Sequence, residues 1–282
     1  MERMATKTVD KIKTPALMGP AFLFLIAFFF VPLGYLFFLS VDFSKLDFAK
    51  YLQILKVDAY KRVFLNSIRI SFLVSLVSVV VAYPTAAFIS SKSRNVRRWF
   101  LLAVTIPFWM SILVRSFAWQ VLLQKSGAIN FVLKSLGFVN EPVQLSYSLF
   151  ATVCGMTYIM VPFSILILMA TMTKIDKNIM TVARTLGGND WLVFSKVYFP
   201  QTRKSLAISI GLVFALSMGY FITPALLGGP RETMIAMMID SEMNQVLDFR
   251  IASAMAISLI ILLGFAFVLA STITRIVWGE DD

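Results

Sequence analysis

Few residues in this chain could do catalytic chemistry. Its 282 residues include no histidine and one cysteine, Cys154. The commonest general base and the commonest metal ligand are therefore missing. The single thiol sits in an apolar run, with no disulfide partner and no companions for a metal site. No Gly-x-x-x-x-Gly-Lys-Ser/Thr phosphate loop occurs, so any ATP hydrolysis would have to be done by another chain. What the spacing does offer is a contact surface. In segment 174–200, Ile179, Met180, Val182, Ala183 and Leu186 recur at helical intervals, which predicts a short helix with one apolar face. Asp176 can cap its start, and Gly187-Gly188 stops it. A second short helix is expected from about Asp190 to Tyr198, ended before Pro200. Such a pair can lie in the lipid interface or dock into a groove on a partner, and these residues alone leave both open.

The elements that must carry this segment are unusually apolar. Hydrophobic residues make up 59% of the chain and charged residues 15%, against about 45–50% and about 25% in soluble domains. Runs 14–41, 70–91, 142–173, 205–230 and 251–274 carry no charge, and 99–124 carries only Arg115. About 20 residues of helix cross the hydrocarbon, and in lipid the backbone must satisfy its own hydrogen bonds. The prediction is an all-α membrane protein, a single domain over 1–282 with six transmembrane helices at about 16–40, 70–91, 99–123, 146–173, 205–227 and 251–274. A cytoplasmic loop, 174–204, joins the fourth and fifth. Pro32, Pro84, Pro107, Pro162 and Pro224 are expected as kinks or helix ends. The first apolar run is too long for a signal-peptide core and is expected to be retained.

Orientation follows from Lys and Arg. With the N-terminus inside, the inner segments hold 15 basic residues and the outer ones 10. The short loop Lys92-Ser-Arg-Asn-Val-Arg-Arg98 carries most weight, and it places both termini in the cytoplasm. The net charge of +11 is read as this topology signal; no basic, aromatic-interleaved stretch points to nucleic acid. No internal repeat is evident.

Ala183, Gly187 and Pro200 have the spacing of the cytoplasmic EAA loop in MetI-like ABC-importer permeases, which this sequence resembles. Thr181 and Val182 stand where that family usually has Glu and Ala, and Gly188 where Ala is common. Pro107-Phe-Trp-Met-Ser-Ile-Leu-Val-Arg115, Tyr158-Ile-Met-Val-Pro-Phe163 and Phe221-Ile-Thr-Pro-Ala-Leu-Leu-Gly-Gly-Pro230 are similar to the spermidine/putrescine branch of the same family. The resemblance implies that Ala183, Leu186, Gly187, Gly188 and Pro200 contact an ATPase subunit. It implies a second permease subunit that is a paralogue, two ATPase subunits that bind ATP and Mg, and a periplasmic substrate-binding protein. It implies no cofactor and no enzymatic activity in this chain, and a place in the bacterial inner membrane.

Other residues are candidates for a pathway or gate: Arg115, Tyr220, Phe221 and Pro224. A charge at mid-bilayer costs at least about 2.5 kcal/mol, so Arg115 is expected to pair within the bundle, line the pathway or snorkel outward. Pro224 and Gly228-Gly229-Pro230 are expected to break the fifth helix near the outer face. Trp99, Trp109, Trp119 and Trp278 read as interface anchors or packing. Asp240, Glu242 and Asp248 make the last outer loop acidic, which suits a solvated loop or a cationic ligand. Two rivals to an importer subunit are an ion-driven secondary transporter, which should carry acids or histidine within its spans, and a membrane scaffold, which needs no Gly187…Pro200 loop.

Overall fold

The structure is a computed structural model that describes residues 2–41 and 48–278. Among them every regular element is helical. In chain order they are α1 Glu2–Ser40, α2 Ala49–Lys56, α3 Asp58–Ser91, α4 Arg94–Thr105, α5 Ile112–Leu123, α6 Ala128–Ser135 and α7 Leu149–Met172. Then come α8 Lys177–Thr185, α9 Asp190–Val193, α10 Phe199–Met218, α11 Ile222–Leu227, α12 Ile235–Ser241 and α13 Phe249–Trp278. Among the described residues four stretches are long and apolar enough to cross a membrane: Phe22–Ser40, Asp58–Ser91, Leu149–Met172 and Phe249–Thr272. A fifth candidate is the pair Arg94–Trp109 and Ile112–Ser135, bent by 92°.

Two compact units emerge. The first combines the described residues up to Val57 with Ile239–Ile260. Within it, Lys50 pairs with Asp248 at 2.8 Å, and the hydroxyls of Ser40 and Tyr51 meet at 2.7 Å. The second combines Asp58–Met238 with the described residues from Ile261 onward.

The second unit is built on α3, α7 and α10. Ile70 and Val74 of α3 meet Met156, Ile159 and Met160 of α7 and Val213 of α10, with Met234 against them. One turn after another, Ala82, Ala86 and Ile89 meet Ile165, Leu168, Met169 and Met172. Helices in lipid gain nothing from excluding water from each other, so close backbone approach must hold them. The sequence supplies it with small residues. Ser67, Ser71, Ser75 and Ser78 on α3, Ser164 on α7 and Ser205 and Ser209 on α10 are all buried.

Proline behaves as membrane helices allow. Pro84 and Pro162 lie inside unbroken helices, where each forfeits one backbone hydrogen bond. Pro107 falls in a single 3-10 turn, Ile106–Trp109, after which Met110 and Ser111 are extended. Segment 94–123, which holds the apolar run 99–123, is therefore two 12-residue helices about a break.

The run 205–227 is also divided, but not at Pro224 as the sequence led us to expect. α10 ends at Met218, Gly219 and Tyr220 make the turn, and α11 starts at Ile222. Pro224 sits in the first turn of α11, where a missing N–H costs nothing. Gly228 and Gly229 follow the end of α11, as expected.

Candidate functional site

The loop after α7 forms the predicted amphipathic helix. The Asp176 carboxylate accepts from the Asn178 N–H at 2.9 Å and starts α8. The end is a Schellman motif: the Gly188 N–H donates to the Ala183 carbonyl and the Gly187 N–H to the Arg184 carbonyl, each at 3.0 Å. That arrangement needs a left-handed residue at its centre, and Gly187 has φ +89°. Gly188 is constrained for a different reason. A Cβ there would lie 2.7 Å from the Ala183 carbonyl oxygen.

The apolar face of α8 has little of this chain over it. Leu186 is 82% exposed, Val182 55% and Ile179 47%. Ala183 is half-buried. Arg184 crosses the turn to Asp190 at 3.1 Å. Both side chains are well exposed, so the pair adds little stability and serves chiefly to orient α8 against α9.

The second helix departs from expectation at its end. Asn189 caps α9, its side-chain oxygen accepting from the Leu192 N–H at 2.8 Å. The chain then passes through one π turn, Phe194–Tyr198, straight into α10. It is not ended before Pro200. Pro200 is the second residue of α10 and lies within this continuous run of helix.

Residues that spacing alone did not single out tie this loop to the bundle. Phe194 lies 6.3 Å from Tyr83 of α3 and 6.2 Å from Phe199, ring centre to ring centre. Trp191 and Tyr198 flank Phe194 at 5.9 and 6.1 Å. The Tyr83 hydroxyl meets that of Thr202 at 2.7 Å, and Val193 beneath them is 2% exposed. These contacts join α9 and the π turn to α3 and α10. The sequence signal was present in Trp191, Phe194 and Tyr198, at helical spacing; their partner Tyr83 is more than a hundred residues away.

The second group of candidates gathers around α5 and α11. The Ser116 and Thr223 hydroxyls meet at 3.0 Å, joining the residue after Arg115 to the residue before Pro224. Pro224 is buried, Tyr220 is half-buried and Phe221 is 38% exposed. Arg115 is only 8% exposed, so it does not snorkel, and its Nε and Nη1 have no hydrogen-bond partner among the described residues. Two of its three guanidinium nitrogens are thus buried and unpaired, and buried unpaired polar groups destabilise the fold that holds them. Arg115→Leu should therefore leave the solubilised protein as stable or more so in thermal unfolding, while lowering transport. Normal transport in that variant would remove Arg115 from the site.

The acidic loop is engaged within the chain. Asp240 accepts from the Asn244 side chain at 2.8 Å and Glu242 is buried. Partial burial raises the proton affinity of Asp248, but Lys50 and the Ile251 N–H outweigh it and hold the carboxyl below its ordinary range. Trp109 is 91% exposed and Trp99 74%, whereas Trp119 packs on Tyr158 at 5.9 Å. The side chain of Trp278 lies outside the described residues. No cluster of metal-ligating side chains occurs among the described residues.

Long apolar helices and small-residue seams define a polytopic membrane protein that carries an exposed, capped amphipathic loop. The family pattern of the binding-protein-dependent transport system inner membrane component matches residues 75–277, and the chain belongs to that family. It is 28% identical over 205 residues to the spermidine/putrescine transport system permease protein PotB of Escherichia coli (strain K12), covering 73% of this chain and 74% of that one. The Haemophilus influenzae protein of the same name is 29% identical over 204 residues, 72% of this chain and 71% of that one. In fold it is similar to a chain of a bacterial alginate ABC transporter, solved in complex with an alginate pentasaccharide-bound periplasmic protein. The TM-score is 0.76 at 17% identity, over 98% of this chain and 99% of that one. The chain is thus an ABC-importer permease of the MetI type.

Proposed function

We propose that this chain is one permease subunit of an importer for polyamines, spermidine or putrescine, or a related small organic solute. It crosses the inner membrane six times, with both termini in the cytoplasm, as one domain. It forms the pathway with a second permease chain, a paralogue. Two ATPase subunits bind ATP and Mg, and a periplasmic protein delivers the solute. Ala183, Leu186, Gly187, Gly188 and Pro200 form the ATPase contact; Arg115, Tyr220, Phe221 and Pro224 belong to the pathway or its gate.

The observation that carries this reading is α8. It is a firmly capped helix whose apolar face, Ile179, Val182 and Leu186, is exposed within the chain, and a chain of this family works with other subunits. ATP closure of the ATPase pair would favour one state of the pathway by binding it better, as any such switch requires. The polyamine assignment is supported by the relatives of 28–29% identity. Co-expressed with its neighbours in cells lacking polyamine uptake, the chain should restore accumulation of labelled spermidine or putrescine, and excess unlabelled solute should compete. Uptake of neither, with the complex assembled, would reassign the substrate.

Six crossings require the bent pair α4–α5 to count as one span and α10–α11 as another. A reporter active only in the cytoplasm should work when fused after Asp282 and be silent when inserted at Gly137. The opposite pattern would reverse the orientation.

A further inference from the structure

A cavity of about 750 Å³ opens at the start of α3. Arg62, Asn66 and Arg69 of α3 line it on one side, and Arg231 and Glu232 of the turn after α11 on the other; Leu65 forms its rim. The turn is pinned in place, since the Asn66 amide donates to the Arg231 carbonyl at 2.6 Å and the Ser67 hydroxyl accepts from the Ile235 N–H at 2.7 Å. Glu232, the single carboxylate of the lining, accepts from the Gly229 N–H at 3.0 Å. Asp58, one turn from Arg62, is paired with Lys61 at 2.8 Å. Among the described residues no ion pair or hydrogen bond reaches the guanidinium groups of Arg62, Arg69 or Arg231. Three cations thus share one cavity with one carboxylate that is already engaged. They repel each other unless an anion joins them, and guanidinium forks suit phosphate oxygens.

The position of the cavity says where that phosphate comes from. Arg69 and Ser91, the last residue of α3, are 22 positions apart. At about 1.5 Å per residue that is about 33 Å, close to the hydrocarbon thickness of about 30 Å. Arg69 and the basic 92–98 loop therefore bracket the bilayer, and the cavity lies at headgroup level in the leaflet opposite that loop. Below it, Phe72, Leu76 and Val80 share one face of α3 with Arg62 and Arg69, and they are 55%, 45% and 65% exposed. A phosphate between the arginines would have an apolar track beneath it for its acyl chain. We propose that Arg62, Arg69 and Arg231 form a site for the headgroup of an anionic phospholipid, with its tail on the Phe72–Val80 stripe. The inference rests on the membrane placement of α3 and not on the transported solute. A polyamine would be repelled from this cavity.

The test is native mass spectrometry of the full-length chain in detergent, titrated with phosphatidylglycerol or with phosphatidylcholine of the same acyl chains. Wild type should bind the anionic lipid roughly tenfold more tightly, given the attraction each basic residue exerts on anionic headgroups. The pair Arg69→Gln with Arg231→Gln should lose that preference, and Arg97→Gln with Arg98→Gln, at the other end, should keep it. If the first pair does not yield folded protein by helix content, Arg231→Gln alone, in the exposed turn, should lower the preference. Equal binding of the two lipids by wild type, or an unchanged preference in the cavity variants, would overturn the site. Displacement of the lipid by millimolar inorganic phosphate would make it a free-anion site and overturn the lipid assignment. So would a cavity variant that keeps its lipid but no longer captures the solute-delivery protein, which would make the arginines a protein contact.

Discussion

Gly187→Val should detach the ATPase subunits, or leave them bound but unresponsive to substrate, while the membrane helices insert normally. The expectation rests on backbone conformation alone. Gly187 has φ +89°, and a Cβ placed there would meet nothing within 4 Å. Steric conflict with neighbours is therefore excluded, and the cost is that of a left-handed residue, about 1–2 kcal/mol for an ordinary side chain and more for a β-branched one. The Schellman bonds from Gly187 and Gly188 would open, α8 would run on, and Leu186 would leave its place. Because the cause is conformational, the effect should be graded. Gly187→Asn should retain most function, since Asn tolerates this region; Ala should be intermediate and Val worst. Ala183→Asp should match Val by another route, placing an unpaired charge in the contact. Co-purification of the ATPase and substrate-stimulated hydrolysis in vesicles measure all four. Normal values for both Gly187→Val and Ala183→Asp would remove the loop from the coupling role.

The second large effect is expected at Gly155, deep in α7. A Cβ there would run into Leu227 Cδ1 of α11 and lie 3.0 Å from Thr223 Cγ2. Leu227 and Thr223 are both fully buried, so neither has room to withdraw. Gly155→Leu should push α11 away from α7. It would disturb the Leu123–Ala151–Leu227 cluster and the Ser116–Thr223 bond together. Overpacking of this kind costs about 1–3 kcal/mol. The solubilised protein should unfold several degrees lower and uptake should fall to a small fraction. Gly155→Ala should do less, because a single methyl group displaces α11 less than the larger leucine side chain does. If Gly155→Leu unfolds at the wild-type temperature, α11 is not seated on α7 as described. The two glycines fail for opposite reasons, one through its own φ and the other through its neighbours.

Much of the architecture was legible in the sequence. Lipid admits only helices with internally satisfied backbones, and four of the six apolar runs stand as long single helices among the described residues, whereas 99–123 and 205–227 are divided. Local hydrogen bonding likewise announced the Asp176 cap and the left-handed Gly187, because the partners of each lie within a few residues. Proline was legible only as a helix disturbance. Whether Pro200 ends a helix or starts one depends on the π turn at Phe194–Tyr198, which Tyr83 and Phe199 stabilise from the bundle.

What needed the tertiary structure was every property set by contacts far apart in sequence. Arg115 was visible as a charge in a span, but that its Nε and Nη1 are buried without partners follows from the packing around α5. Gly155 resembles any small residue of an apolar helix until Leu227 is set beside it. Arg62, Arg69 and Arg231 read as scattered loop charges, and they become one cavity only when the turn after α11 is fastened to α3 by Asn66 and Ser67. The apolar pattern and short-range hydrogen bonds of this protein are fixed by neighbours along the chain, so the sequence by itself determined them. Its unpaired charges, close approaches and cavities are fixed by which helices meet, and only the folded bundle decided those.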